Sequence, residues 1–66
     1  MEYGILAVTW LESKSMFIRH WVFLPDDTIR SFDDEMTARK FAEAMNRYAR
    51  ENGIISTDYR AKEIKG

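Results

Sequence analysis

The sequence predicts an α+β fold: an antiparallel sheet of three or four strands with one helix packed on one face, in the order β-β-β-α-β. Three observations carry this expectation. Apolar residues alternate with a period of two through two early segments, 1–12 and 16–24. A three-four spacing then runs through 34–52, between an acidic start and a glycine. Alternation returns in "IISTDYRAKEI", 54–64.

In the first segment Tyr3, Ile5, Ala7, Thr9 and Leu11 alternate with Leu6, Val8 and Trp10. Both faces are apolar, as in a strand inside a sheet. "ESKS" follows at hairpin length, though without the Asn-Gly or Asp-Gly pair that marks the tightest turns. The second strand, "MFIRHWVFL", is rich in β-branched and aromatic residues. "PDD" ends it, because proline lacks an N–H and aspartate bonds to nearby backbone in turns. Residues 28–32 read as a short third strand returning beside the second.

Asp33 is the expected N-cap of the helix. Asp34 and Glu35 place negative charge at its positive end, and Gly53 suits the position just past its last turn. Ala38, Phe41, Ala42, Met45, Tyr48, Ala49 and Asn52 form its packing stripe. The last segment reads as a fourth strand at a sheet edge, its charges opposing edge-to-edge pairing. The expected core centre is Phe41, Met45, Tyr48, Ile18, Val22 and Leu24.

Sixty-six residues make one domain, 1–66, near the lower size limit for folding without staples. With no cysteine, stability has to come from packing or self-association. That composition suits a reducing cytoplasm. The apolar runs "GILAV" and "WVFL" are far shorter than the roughly 20 residues of a membrane span, and "MEYG" lacks the basic region of a signal peptide. Ten Lys plus Arg against 11 Asp plus Glu leave a net charge of −1, which creates no global field for a polyanion. Apolar content of 45% argues against intrinsic disorder.

No catalytic, cofactor or metal site is expected, and the chain is not read as an enzyme. His20 is the only histidine, on the side assigned to the core, and a structural role is favoured. Asp26, Asp27, Asp33, Asp34 and Glu35 cluster, but a turn and a helix cap account for them better than a calcium loop, whose alternating ligands and central glycine are missing. Arg39, Lys40, Arg47 and Arg50 are interrupted by Glu43 and Glu51 and read as a solvated helix face. Gly4, Gly53 and Gly66 are isolated, so there is no phosphate-binding loop.

The remaining feature is the row Phe17, Arg19, Trp21 and Phe23, which alternation places opposite Ile18, His20, Val22 and Leu24. Tyr3 or Trp10 would extend it on a neighbouring strand. If the aliphatic side meets the helix, these rings lie on an uncovered face, larger than a monomer normally exposes. Aromatics and arginine are the residue types of interface hot spots. The row is therefore assigned to protein contacts, most simply in a homodimer. The alternative is a single-stranded nucleic-acid binder with bases stacked on Trp21 and Phe23, a reading weakened by the lack of a basic groove. In layout, with its hairpin, acidic helix start and final strand, the chain is similar to small host-takeover inhibitors encoded by bacteriophages. That resemblance implies a protein that binds and blocks another protein, and it carries over no site residue.

Overall fold

The computed structural model describes residues 1–65. Five principal elements are present: β1 (Glu2–Leu11), β2 (Met16–Trp21), β3 (Ser31–Phe32), α1 (Glu35–Glu51) and β4 (Thr57–Ile64). They build an antiparallel sheet of four strands with the helix on one face. β1 is the hub, as its two apolar faces predict. One edge of β1 pairs with β4 from Glu2↔Ile64 to Thr9↔Thr57. The other edge is shared: β2 takes Leu6 to Leu11, and β3 takes Tyr3 and Gly4.

The expected third strand, 28–32, is divided: residues 28–30 return beside 22–24 at the end of the second segment, as predicted, while β3 itself, Ser31–Phe32, pairs with β1. After Trp21 the chain keeps one further hydrogen bond to β1, from Val22 N–H to the Ile5 carbonyl at 2.9 Å, and then leaves the strand. A tight hairpin follows, joined by the Phe23↔Ile29 bridge and the Leu24 N–H to Thr28 carbonyl bond of 2.7 Å. Pro25 presets φ at the start of this turn, and Asp27 adopts φ 68°, the left-handed conformation that aspartate tolerates better than most residues. Asp26 Oδ1 accepts from the Thr28 hydroxyl at 2.6 Å and from its N–H at 3.1 Å, and these bonds hold the Asp26 pKa below the ordinary aspartate value. At the other hairpin Glu12–Lys14 form one turn of 3-10 helix, and Ser15 closes it at φ 48°.

The helix N-cap is Asp34, one residue later than expected. Its Oδ2 accepts from both the N–H and the hydroxyl of Thr37 at 3.0 Å, which only the residue three before Thr37 can do. At the other end Gly53 takes φ 74° as predicted. Ile54 N–H bonds to the Ala49 carbonyl at 2.8 Å and Gly53 N–H to the Arg50 carbonyl at 3.2 Å, the paired bonds of a Schellman motif.

The buried centre is Ile5, Ala38 and Ala42, with Tyr3, Val22, Phe32, Phe41, Met45, Tyr59 and Ala61 packed around it. Small helix residues let the backbone of α1 approach the sheet closely, and Ile5 beneath them is fully buried, worth roughly 1.5–3 kcal/mol. Phe41, Met45 and Val22 are where the sequence placed them. Three other expected core residues are not. The helix lies over β4, β1 and β3 and leaves β2 largely uncovered, so Ile18 is 37% exposed. Leu24 is half-buried in the hairpin, outside the central cluster. Tyr48 is 66% exposed; it shares a helix flank with Phe41, but β3, which covers Phe41, has only two residues.

Arg30 closes this end of the core. Its guanidinium carbon sits 4.2 Å from the Phe41 ring centre and 5.5 Å from that of Phe32, while Phe32 and Phe41 lie 5.4 Å apart. The rings supply the cation's partner in place of a carboxylate, and the Arg30 Nε is buried without a hydrogen bond.

Candidate interaction surface

The registers decide which side chains share a face. Leu6 lies opposite Trp21, Val8 opposite Arg19 and Trp10 opposite Phe17; on the other side Gly4 faces Lys62, Leu6 faces Arg60 and Val8 faces Asp58. All of these point away from α1, because Ile5 and Ala7 between them point toward it. The row Phe17, Arg19 and Trp21 therefore continues into Trp10 on β1, whereas Phe23, the fourth residue expected in it, lies past the end of β2 in the hairpin bridge with Ile29, where strand alternation no longer sets its face. Tyr3, the other residue considered as an extension, is on the helix side and packs against the core.

The row divides into two kinds of residue. Phe17 and Phe23 are 57% and 53% exposed, and Trp10 is 38% exposed. Trp10 and Phe17 pack edge to face, with ring centres 4.9 Å apart and planes at 61°. Trp21 is half-buried, because its indole lies over Gly4: a Cβ on Gly4 would come within 3.0 Å of Trp21 Cε3 and Cζ3 and 3.1 Å of Ile64 Cδ1. The missing side chain at Gly4 is the seat of Trp21, a pairing of glycine with a cross-strand aromatic. Trp21 thus belongs partly to the protein's own packing, while Phe17 and Trp10 form its exposed margin.

β2 is exposed on its other face too. Met16, Ile18 and His20 point to the helix side, but the helix packs mainly over β4, β1 and β3, and all three are exposed. His20 is therefore a surface residue on an uncovered strip, not a core histidine; its Nδ1 lies 3.3 Å from the Trp21 carbonyl oxygen.

The two outer edges of the sheet are unlike each other. At β4 the carboxamide of Asn46, on α1, bonds to the outward backbone of Tyr59: Nδ2 donates to the Tyr59 carbonyl at 2.9 Å, and Oδ1 accepts from the Tyr59 N–H at 2.8 Å. A helix side chain thus stands in for a neighbouring strand. β4 also carries Asp58, Arg60, Lys62 and Glu63, with Arg60 bonded to Asp58 at 2.7 Å. β2 has Arg19 as its one full charge, and no side chain covers its edge except His20 at Trp21. Alternation predicts the exposed aromatic row, but it contains no signal for Asn46 or Gly4, whose partners lie far away in sequence.

Three of the five clustered carboxylates are occupied locally. Asp26 serves the turn, Asp34 the cap, and Glu35 pairs with Arg39 at 2.9 Å. A shallow cleft at the end of the sheet is lined by Trp10, Phe17, Arg50, Ile54, Ile55 and Asp58 and continues the aromatic surface around the sheet's end. Among the described residues no helix is long and apolar enough to cross a membrane. Compared with protein-family models, with curated proteins and with solved structures, the chain matches none.

Proposed function

We propose that the chain is a small non-enzymatic protein-binding module, homodimeric, whose open sheet face makes the protein contacts. The observation that supports this reading is the exposed pair Trp10 and Phe17, packed edge to face on a sheet face with no covering layer. Arg19 lies within the same row, and arginine beside aromatic rings is the composition of a binding hot spot. The layout shared with phage-encoded inhibitors fits the same kind of surface.

One observation favours the second reading, a single-stranded nucleic-acid binder. β4 adds Arg60 and Lys62 to the face that holds Arg19 and Trp21, so basic groups do flank the rings. Against it, Asp58 shares that face and engages Arg60. Titration with single-stranded oligonucleotides at several salt concentrations separates the two: tight binding that weakens steeply with salt supports the second reading and overturns the first. A dimer mass by light scattering with no oligonucleotide binding supports the first.

A further inference from the structure

From the asymmetry of the two sheet edges we infer that a second copy of this chain docks by antiparallel pairing of β2 with β2, about a two-fold axis through Ile18, giving one continuous sheet across both subunits. The inference rests on the homodimer reading above and replaces a general face contact with a defined strand-to-strand seam.

The edge is chosen by backbone accounting. An unpaired strand edge is a row of free donors and acceptors that another chain can complete, and sheets block such edges with charges or covering groups. The β4 edge is blocked in both ways, by Asn46 on the Tyr59 backbone and by alternating charges. The β2 edge has Arg19 alone, and both its faces are apolar and exposed at Met16, Phe17 and Ile18.

The register follows from parity. The Val22 to Ile5 hydrogen bond makes Ala7–His20 and Thr9–Ile18 the hydrogen-bonded pairs of the β1–β2 ladder, so Phe17, Arg19 and Trp21 direct their N–H and C=O groups outward. Only these residues can bond to an incoming strand. The outward Trp21 carbonyl is already approached by His20 Nδ1, which leaves Phe17 and Arg19 as the open pair. The side chains then select among the two-fold registers. An axis at Arg19 sets two guanidinium groups against each other, an axis at Phe17 sets Arg19 against Ser15 with no ring opposite it, and an axis at His20 needs the Trp21 carbonyl that His20 Nδ1 approaches. An axis at Ile18 places each Arg19 beside the other copy's Phe17 ring, where cation–π attraction replaces repulsion, and sets Met16 against His20. Ile18 then meets its own copy at a non-hydrogen-bonded position, where opposed side chains are closest. The helix, displaced toward β4, leaves this seam open to the second copy.

Because the chain has no cysteine, single-cysteine variants report the register directly. Phe17→Cys, Ile18→Cys, Arg19→Cys and His20→Cys are each oxidised at a concentration where the wild-type mass is followed by light scattering. Opposed residues at a non-hydrogen-bonded position sit about 4.5 Å apart at Cα, within disulfide reach. The expected result is a wild-type mass twice the 7.8 kDa of one chain, with Ile18→Cys forming the disulfide-linked dimer fastest of the four. Arg19→Pro removes an outward N–H without touching the β1 ladder, so it should halve the mass while circular dichroism retains the fold. Should that variant unfold, Ile18→Lys, at a position exposed in the single chain, gives the same halving with the fold retained. A dimeric wild type in which all four cysteines link equally slowly, and in which Ile18→Lys stays dimeric, overturns the β2 seam but leaves a dimer built on the open face. A different cysteine linking fastest overturns the Ile18 register. A monomeric wild type at every concentration overturns both the seam and the homodimer, leaving only a foreign partner for the open face.

Discussion

Replacing Asn46 by alanine removes the bracket that ties the helix to the outer strand. Asn46 makes hydrogen bonds of 2.8 and 2.9 Å with the Tyr59 backbone in a partly buried setting. A typical intramolecular hydrogen bond contributes about 0.5–1.5 kcal/mol net, so losing both should cost about 1–3 kcal/mol. A domain of this size has roughly 3–10 kcal/mol in total, so the loss is a large fraction of it. At about 4–8 °C per kcal/mol for a chain of this length, the melting temperature should fall by roughly 4–24 °C. Urea denaturation should show a lower midpoint with an unchanged slope, and hydrogen exchange should show the Tyr59 amide losing protection more than amides of β1. Asn46→Asp is the diagnostic companion. Its ionised carboxyl still accepts from the Tyr59 N–H but faces the Tyr59 carbonyl with no proton to donate, so the folded state raises the introduced group's pKa. Stability of that variant should therefore be greatest at pH below the ordinary aspartate range and fall as pH rises through the raised value. An Asn46→Ala protein that unfolds within about 0.5 kcal/mol of wild type would refute the bracket.

Phe41→Ala should cost about 3–5 kcal/mol in denaturant titration, because it removes a core ring and leaves the Arg30 cation without its nearer π face; a smaller loss than Ile→Val typically causes would place Phe41 outside the core. Gly4→Ala should cost about 1–3 kcal/mol and shift tryptophan fluorescence, since the new methyl meets Trp21 and Ile64 at 3.0–3.1 Å; an unchanged melt and spectrum would mean the indole does not rest there. For the same reason Trp21→Asp should weaken the fold as well as any dimer, and a fold retained at full wild-type stability would reassign Trp21 wholly to the interface. Asp26 should titrate below the ordinary aspartate value of 3.8 in carboxyl NMR, because Thr28 bonds to its ionised form. Its contribution to stability is fully present above the unfolded value and is lost as pH falls through the folded one. Thr28→Val should return the titration toward 3.8.

How much of this was legible in the sequence depended on range. The Asp34 cap was missed by one residue and Gly53 was placed correctly, because capping is chemistry within a few positions of the chain. β1 as an inner strand and the open positions Phe17 and Arg19 followed from period two alone, whereas Trp21 is half-buried over Gly4 and Phe23 falls past the strand's end, where the period no longer applies. What did not follow was the lateral position of the helix. Period two sorts β2 into two faces but does not say whether a helix covers either, so Ile18 and His20 were given to a core that lies one strand away. Arg30, Asn46 and Gly4 act through partners brought near only by the fold, and as isolated residues in a sequence they carry no pattern.

The central position of β1 also governs when the molecule can become itself. β1 is made early, yet its longest partner, β4, completes the pairing only when Ile64 comes to lie opposite Glu2. The β1–β2 hairpin and the capped helix are local and form quickly, whereas this last closure spans nearly the whole chain and carries the high contact order that slows folding. Until β4 has been made, the backbone donors and acceptors on the β4-facing edge of β1 have no strand to pair with, so completing the sheet waits for that strand.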